Sequence, residues 1–290
     1  MSVPCIATRA TRSSTLSSVT EPHLKERVAL QARPRHTGAV SASVSPVVAE
    51  LDTVSKRFGD TPVFNNVSAR LARAEAVALV GGNGTGKSTL LRCLMGLIPV
   101  TSGCVSLLGE DVTTARGRAL RSLRARVGLV SQKHNLVARL SVLSNVLHGL
   151  LGQASGPRYW SHALAPATAR DAAMEALEQV GLADFAARRA DRLSGGQSQR
   201  VAVARALVGA PDIVIADEPC ASLDPAAGEE VMDLFFRLAR DRGVTVVFTS
   251  HDLDHALRYG DRVMGLAHGG LQLDAMANAL TTNDLRGLYG

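Results

Sequence analysis

The chain has 290 residues, enough for a sizeable core in one large domain or two small ones. No apolar run reaches the roughly 18 residues a membrane-spanning helix needs, so any membrane contact is borrowed from a partner. The net charge of +6 is uneven: Arg9, Arg12, Lys25, Arg27, Arg33 and Arg35 face only Glu21 and Glu26 in residues 1–46. Most of the basic excess therefore belongs to that stretch rather than to a nucleic-acid-binding face. Cys5, Cys93, Cys104 and Cys220 have no metal-ligand spacing, and the last three sit among apolar residues as small core side chains.

Residues 1–46 are rich in Ser, Thr, Arg and Pro and lack periodicity, as in a solvated, disordered basic tail. They contain no apolar core of a secretory signal. An organelle transit peptide, or a later translation start near Val44 or Val47, are the other readings of this stretch. Order is expected from Val47, with 47–290 as one domain. Val48, Leu51 and Val54 lead into a turn at Lys56–Asp60, and Val63–Leu71 alternates like a strand.

Val77–Val80 is a short buried strand. It runs into Gly81-Gly82-Asn83-Gly84-Thr85-Gly86-Lys87-Ser88-Thr89, and Leu90, Leu91, Leu94 and Met95 then follow at helical spacing. Strand, GxxxxGK plus Ser or Thr, then helix is the phosphate-binding P-loop. Gly81, Gly84 and Gly86 allow the tight turn that points successive N–H groups inward at an anion. The helix opening at Lys87 adds its positive N-terminal end. Lys87 can reach the β- and γ-phosphates, and the Ser88 hydroxyl can bind Mg²⁺.

Thr101-Ser102-Gly103 turns the chain into a strand, Cys104–Leu108, and the basic segment Arg118–Arg124 precedes another, Val127–Ser131. After Gln132 the pattern becomes helical: Leu140–Leu151, Asp171–Val180 and a helix from Gly195 that ends before Pro211. Gly152–Thr168, with the pair Tyr159-Trp160, lies between the first two. Ile213–Ala216 and Val244–Thr249 are buried strands around a helix at Glu229–Arg240. The fold class expected is α/β, a parallel-sheet core with an inserted helical subdomain.

Asp217-Glu218 closes the strand Ile213–Ala216, at the mouth where ligands of parallel sheets bind. Asp217 suits a Mg²⁺ contact. Glu218 is placed to orient and deprotonate a water. Ser194 can cap the helix that opens at Gly195, and Gly195 and Gly196 let a phosphate approach closely. That makes Ser194–Gln197 a second phosphate-binding helix N-terminus, or an ordinary cap.

In order and spacing these motifs resemble those of ATP-binding cassette (ABC) ATPases over about residues 47–270. Leu193-Ser194-Gly195-Gly196-Gln197 is similar to the family's signature sequence. The resemblance implies a P-loop NTPase core of RecA type with an antiparallel β edge, the core comprising 47–132 and 211–290 and the helical signature subdomain 133–210. It implies that Phe58 stacks on adenine and that Gln132 is the Q-loop glutamine, joining the subdomains and reaching the metal. Ser222-Leu223-Asp224 resembles the D-loop and His251 the switch histidine at the γ-phosphate. It further implies a head-to-tail dimer with a second copy, two ATP molecules between the copies, and a membrane permease as partner.

A narrower resemblance, to the ATP-binding subunit of phosphonate importers, rests on Gln132–Val137 with Leu140-Ser141-Val142, the insert Gly149–Ala165, Ala216–Asp224 and the ending Gly287–Gly290. Ser131 and Thr249-Ser250-His251-Asp252 depart from that pattern. It implies phosphonate uptake at the cytoplasmic face with a periplasmic or surface substrate-binding protein and no nucleic-acid partner. The rival readings are a lipoprotein-releasing or amino-acid transporter's ATPase, and a soluble non-transport cassette.

Overall fold

The computed structural model describes residues 47–132, 135–153 and 157–289, which fall in one compact unit. The tail expected at 1–46 lies outside the described residues, as do Lys133, His134 and the middle of the Gly149–Ala165 insert. Among the described residues no helix is long and apolar enough to cross a membrane.

β1 (Val47–Phe58) and β2 (Thr61–Ala72) form a hairpin. The turn expected at Lys56–Asp60 is shorter: β1 continues through Lys56, paired with Phe64, to Phe58, paired with Thr61. Only Gly59 and Asp60 turn, because Gly59 accepts φ 56° without the penalty a side chain would bring. β3 (Ala76–Val80) is buried at every residue and runs through residues 81–86 into α1 (Lys87–Leu94). β4 (Ser102–Leu107) and β5 (Glu110–Asp111) complete a four-stranded antiparallel sheet, ordered β2-β1-β4-β5.

The basic segment before the next strand is a helix, α2 (Gly117–Arg124), and β6 (Val127–Ser131) follows it. Three helices come next: α3 (Val142–Leu147), α4 (Ala167–Gln179) and α5 (Gly195–Leu207). The helix expected over Leu140–Leu151 is therefore shorter, α3 followed by a 3₁₀ turn at His148–Leu150. Gly149 explains the close crossing there: a Cβ on it would sit 2.1 Å from the Arg205 carbonyl oxygen of α5. β7 (Ile213–Asp217), α6 (Pro225–Asp241), β8 (Thr245–Thr249), α7 (Leu253–Tyr259), β9 (Arg262–Ala267), β10 (Gly270–Met276) and α8 (Thr282–Arg286) finish the chain.

The second sheet runs β10-β9-β3-β8-β7-β6, parallel from β9 to β6, with β10 antiparallel on its edge. Strand periodicity divides its apolar runs between two cores. Val77, Leu79, Ile213 and Ile215 face the first sheet and α1, whereas Ala76, Ala78, Val214 and Ala216 face the helical side. Both faces are covered, which is why these strands read as continuous apolar runs. On the helical side Phe236 lies 4.9 Å from Phe248, 5.0 Å from Phe235 and 4.9 Å from Tyr259 between ring centroids. Burying rings of this size contributes about 1.5–3 kcal/mol each and fixes α6 and α7 against β8. β3, β7 and β8 thus end side by side, and the residues after them share one edge.

Candidate active site

The first group on that edge is the loop at residues 81–86. Gly81 (φ 144°), Gly84 (φ 78°) and Gly86 (φ 100°) hold backbone conformations suited to glycine. A Cβ at Gly81 would lie 2.1 Å from the Leu266 carbonyl oxygen, and one at Gly86 would lie 2.7 Å from Val63 Cγ1. Thr85 Oγ1 donates to the Gly82 carbonyl at 3.0 Å, closing the loop on itself around Asn83 and Gly84. The Lys87 ammonium is buried and donates to the carbonyls of Gly81 (2.7 Å) and Gly82 (2.9 Å). Burial lowers the Lys87 pKa, while the Glu218 and Asp217 carboxylates oppose that shift. Ser88 and Thr89 open α1 just beyond.

The second group joins α1, β7 and β8 at one carboxylate oxygen. Ser88 Oγ donates to Asp217 Oδ1 at 3.0 Å, and Thr249 Oγ1 donates to the same oxygen at 2.8 Å. Thr249 Oγ1 in turn accepts the Glu218 N–H at 2.8 Å. Glu218 sits at φ 50°, a strained conformation for a residue with a side chain. His251 Nε2 lies 2.6 Å from Glu218 Oε1. The strained backbone is held from behind by Thr249, and the carboxylate is held in front by His251. This aims the Glu218 side chain at the same edge as Lys87 and Ser88.

Gln132 follows β6 directly, and the register Ser131↔Asp217 sets it beside the acidic pair. It is exposed, and its carbonyl accepts from Ser222 Oγ at 3.4 Å. Phe58 is 53% exposed, with the Lys56 ammonium 4.6 Å from its ring centroid.

Ser194 caps α5 in a capping box: its hydroxyl accepts from Gln197 N, and the Gln197 side chain accepts from Ser194 N. Gly195 and Gly196 lie against Leu223 and Ala227, where added Cβ atoms would meet them at 3.2 and 3.8 Å. Asp224 caps α6 by accepting from Ala227 N at 3.0 Å. Among the described residues no hydrogen bond joins Ser194, Gln197 or Asp224 to residues 81–89. The structure therefore brings together the P-loop, Asp217, Glu218 and His251, while the second helix N-terminus forms a separate surface.

Sequence reasoning did not assign Thr249 a part in this site. The only signal was its place at the end of a buried strand neighbouring the acidic one. Of the three cysteines expected in the core, Cys93 is buried while Cys104 and Cys220 are only partly so; burial raises the thiol pKa of Cys93 to about 11 and of Cys220 to about 12.

The ABC transporter family model matches residues 64–221. The chain is 51% identical over 236 residues to the phosphate-import ATP-binding protein PhnC of Mycolicibacterium smegmatis, a match covering 81% of this chain and 89% of that one. It is 47% identical over 247 residues to the phosphonates import ATP-binding protein PhnC of Nocardia farcinica, covering 85% and 92%. Among solved structures, a dimeric ATP-binding cassette in a post-hydrolysis state bound to ADP and Pi superposes with a TM-score of 0.69 at 33% identity, over 79% of this chain and 98% of that one. The cassette cbiO1 of Clostridium perfringens superposes at 0.71 with 26% identity, over 83% and 92%. On these grounds the chain belongs to the ABC transporter family and carries its ATP-binding, ATP-hydrolysing cassette.

Proposed function

We propose that the chain is the ATPase subunit of an importer of phosphonates, peripheral on the cytoplasmic face of the membrane. It works with a second copy of itself, a membrane permease and a periplasmic or surface substrate-binding protein. The observation that carries the catalytic part is the coupled pair Ser88–Asp217 and Glu218–His251, locked by Thr249. The N–H groups of Gly82 to Thr89 cradle the phosphates of ATP, and Lys87 exchanges its loop carbonyls for phosphate oxygens. Phe58 stacks on the adenine. Ser88, Asp217 and Gln132 supply hard oxygen donors of the kind Mg²⁺ takes, and the 3.0 Å Ser88–Asp217 contact sets two of them on one point. Bound there, Mg²⁺ neutralises charge on the β- and γ-phosphates.

Glu218 takes a proton from the attacking water, and His251 holds the carboxylate and meets the γ-phosphate. Ser194, Gly195, Gly196, Gln197 and Asp224 form the surface that faces the second copy's ATP. This division accounts for a well-capped helix N-terminus with no hydrogen bond to its own P-loop. Residues 47–132 and 211–290 form the catalytic core and 133–210 the helical subdomain that meets the permease. On that subdomain Tyr159 packs inward, but Trp160 is 65% exposed, an anchor of the kind interfaces use.

The substrate reading draws on the several relatives named as phosphonate importers. A second reading, uptake of inorganic phosphate, is favoured by the name of the Mycolicibacterium smegmatis relative. Growth separates the two. Deleting the gene abolishes growth on a phosphonate as sole phosphorus source and leaves growth on phosphate intact. Loss of phosphate uptake with unchanged growth on every phosphonate supports the second reading instead.

A further inference from the structure

Gly81 is the first residue beyond β3, and the ladder to β9 ends one residue earlier, at Val80↔Gly265. Its N–H finds an acceptor 208 positions away in sequence: the Tyr289 hydroxyl, at 3.2 Å. Its carbonyl is held by the Lys87 ammonium at 2.7 Å. The residue that starts the phosphate loop is thus clamped on both sides, once by the lysine that serves phosphate and once by Tyr289.

The segment bearing Tyr289 is seated firmly. Thr281 and Asp284 cap α8 reciprocally, and Leu285 is fully buried. Leu288 lies against β9 so closely that a Cβ on Gly265 would sit 2.4 Å from its Cδ1. The same segment also reaches α7, the helix that follows His251. Thr282 Oγ1 donates to Asp254 Oδ1 at 3.1 Å, and Asp254 is in the first turn of α7, which begins two residues after His251.

We propose that Tyr289 is a positioning residue for the phosphate loop: by accepting the Gly81 N–H, its hydroxyl fixes the loop end from which Lys87 works. The segment 281–289 acts as a strap from α7 to the loop. This rests on residues 81–89 being the ATP-phosphate site.

Tyr289→Phe removes the one hydroxyl and keeps the ring. Loss of one hydrogen bond at the loop predicts about a threefold to tenfold rise in KM for MgATP, and a matching rise in Kd for a non-hydrolysable ATP analogue. At saturating ATP, kcat stays within about twofold and the melting temperature within about 6 °C, since only one hydrogen bond is lost. Leu288→Ala, which removes packing instead, lowers the melting temperature.

Lys87→Ala is measured alongside. If Lys87→Ala abolishes analogue binding while Tyr289→Phe leaves KM and Kd unchanged, the strap is refuted and the ATP site stands. If Lys87→Ala binds normally, the site and the strap both fail. A Tyr289→Phe protein that loses stability with KM unchanged has only a structural tyrosine, which also overturns the proposal.

Discussion

Thr249→Val replaces the one hydroxyl that joins the acidic pair to β8 and changes the side-chain volume little. The side chain is fully buried, so no water takes its place. Two bonds are lost together: Glu218 N–H loses its acceptor at 2.8 Å, and Asp217 Oδ1 keeps Ser88 but loses its second donor at 2.8 Å. An unpaired N–H costs about 1–3 kcal/mol and a carboxylate oxygen short of one donor about 1 kcal/mol, giving roughly 2–4 kcal/mol in all. For a domain of this size that lowers the melting temperature by roughly 4–16 °C. The strained φ at Glu218 also loses its restraint, so the carboxylate moves off the line of attack. A displacement near 1 Å lowers kcat by up to about 10²-fold. The assay is steady-state ATP hydrolysis with thermal melting on Thr249→Val and Thr249→Ser, the serine keeping the hydroxyl. Thr249→Ser stays within a few-fold of the wild type. A Thr249→Val protein with wild-type kcat and melting temperature refutes the account of how Glu218 is held.

Asp212 is bonded by Arg126 at 2.8 Å and Arg73 at 3.1 Å. Burial alone would raise its pKa, but the two guanidinium groups outweigh burial and hold it below the usual carboxylate value. A depressed folded-state pKa contributes stability above the unfolded value near pH 4, lost as pH falls through the folded one. Asp212→Asn therefore costs on the order of 1 kcal/mol at pH 7 in thermal melting and much less once the pH has fallen through the depressed folded-state value. Trp160→Ala leaves ATP hydrolysis by the isolated protein within about twofold but lowers substrate uptake by the assembled transporter roughly tenfold or more, as loss of an aromatic hot spot does; equal uptake contradicts its role as an anchor. Deleting residues 1–46, whose composition cannot build a core, leaves hydrolysis and melting temperature unchanged; a large loss of either places the start of the functional domain before Val47.

The parts of this site legible in the sequence are those whose chemistry is local. Gly81–Thr89 carries its own turn, nest and helix start, and Asp217-Glu218 announces itself at the end of a fully apolar strand. The capping box at Ser194 and Gln197 also lies within one turn. What the sequence hid is long-range. Thr249 meets Asp217 because β7 and β8 are neighbours, an adjacency no local pattern encodes. The Tyr289–Gly81 contact depends on β9 lying beside β3 and on α8 packing behind it. The shortened α3 has a similar cause. Leu140–Leu151 has helical spacing, but Asn145 is fully buried and turns its amide back to Val137 and Ser141, while Gly149 admits the backbone of α5. Tertiary packing set those boundaries, with local propensity the weaker influence.

The most direct test of the central claim, that Glu218 is the base of an ATP site completed by a second copy, is Glu218→Gln examined by hydrolysis and by size in the presence and absence of MgATP. The substitution keeps the shape and removes the proton acceptor. Hydrolysis falls about 10²–10⁴-fold, and the protein, monomeric without nucleotide, runs as a dimer that retains ATP. A Glu218→Gln protein that hydrolyses ATP near the wild-type rate, or that binds MgATP without ever dimerising, contradicts the account.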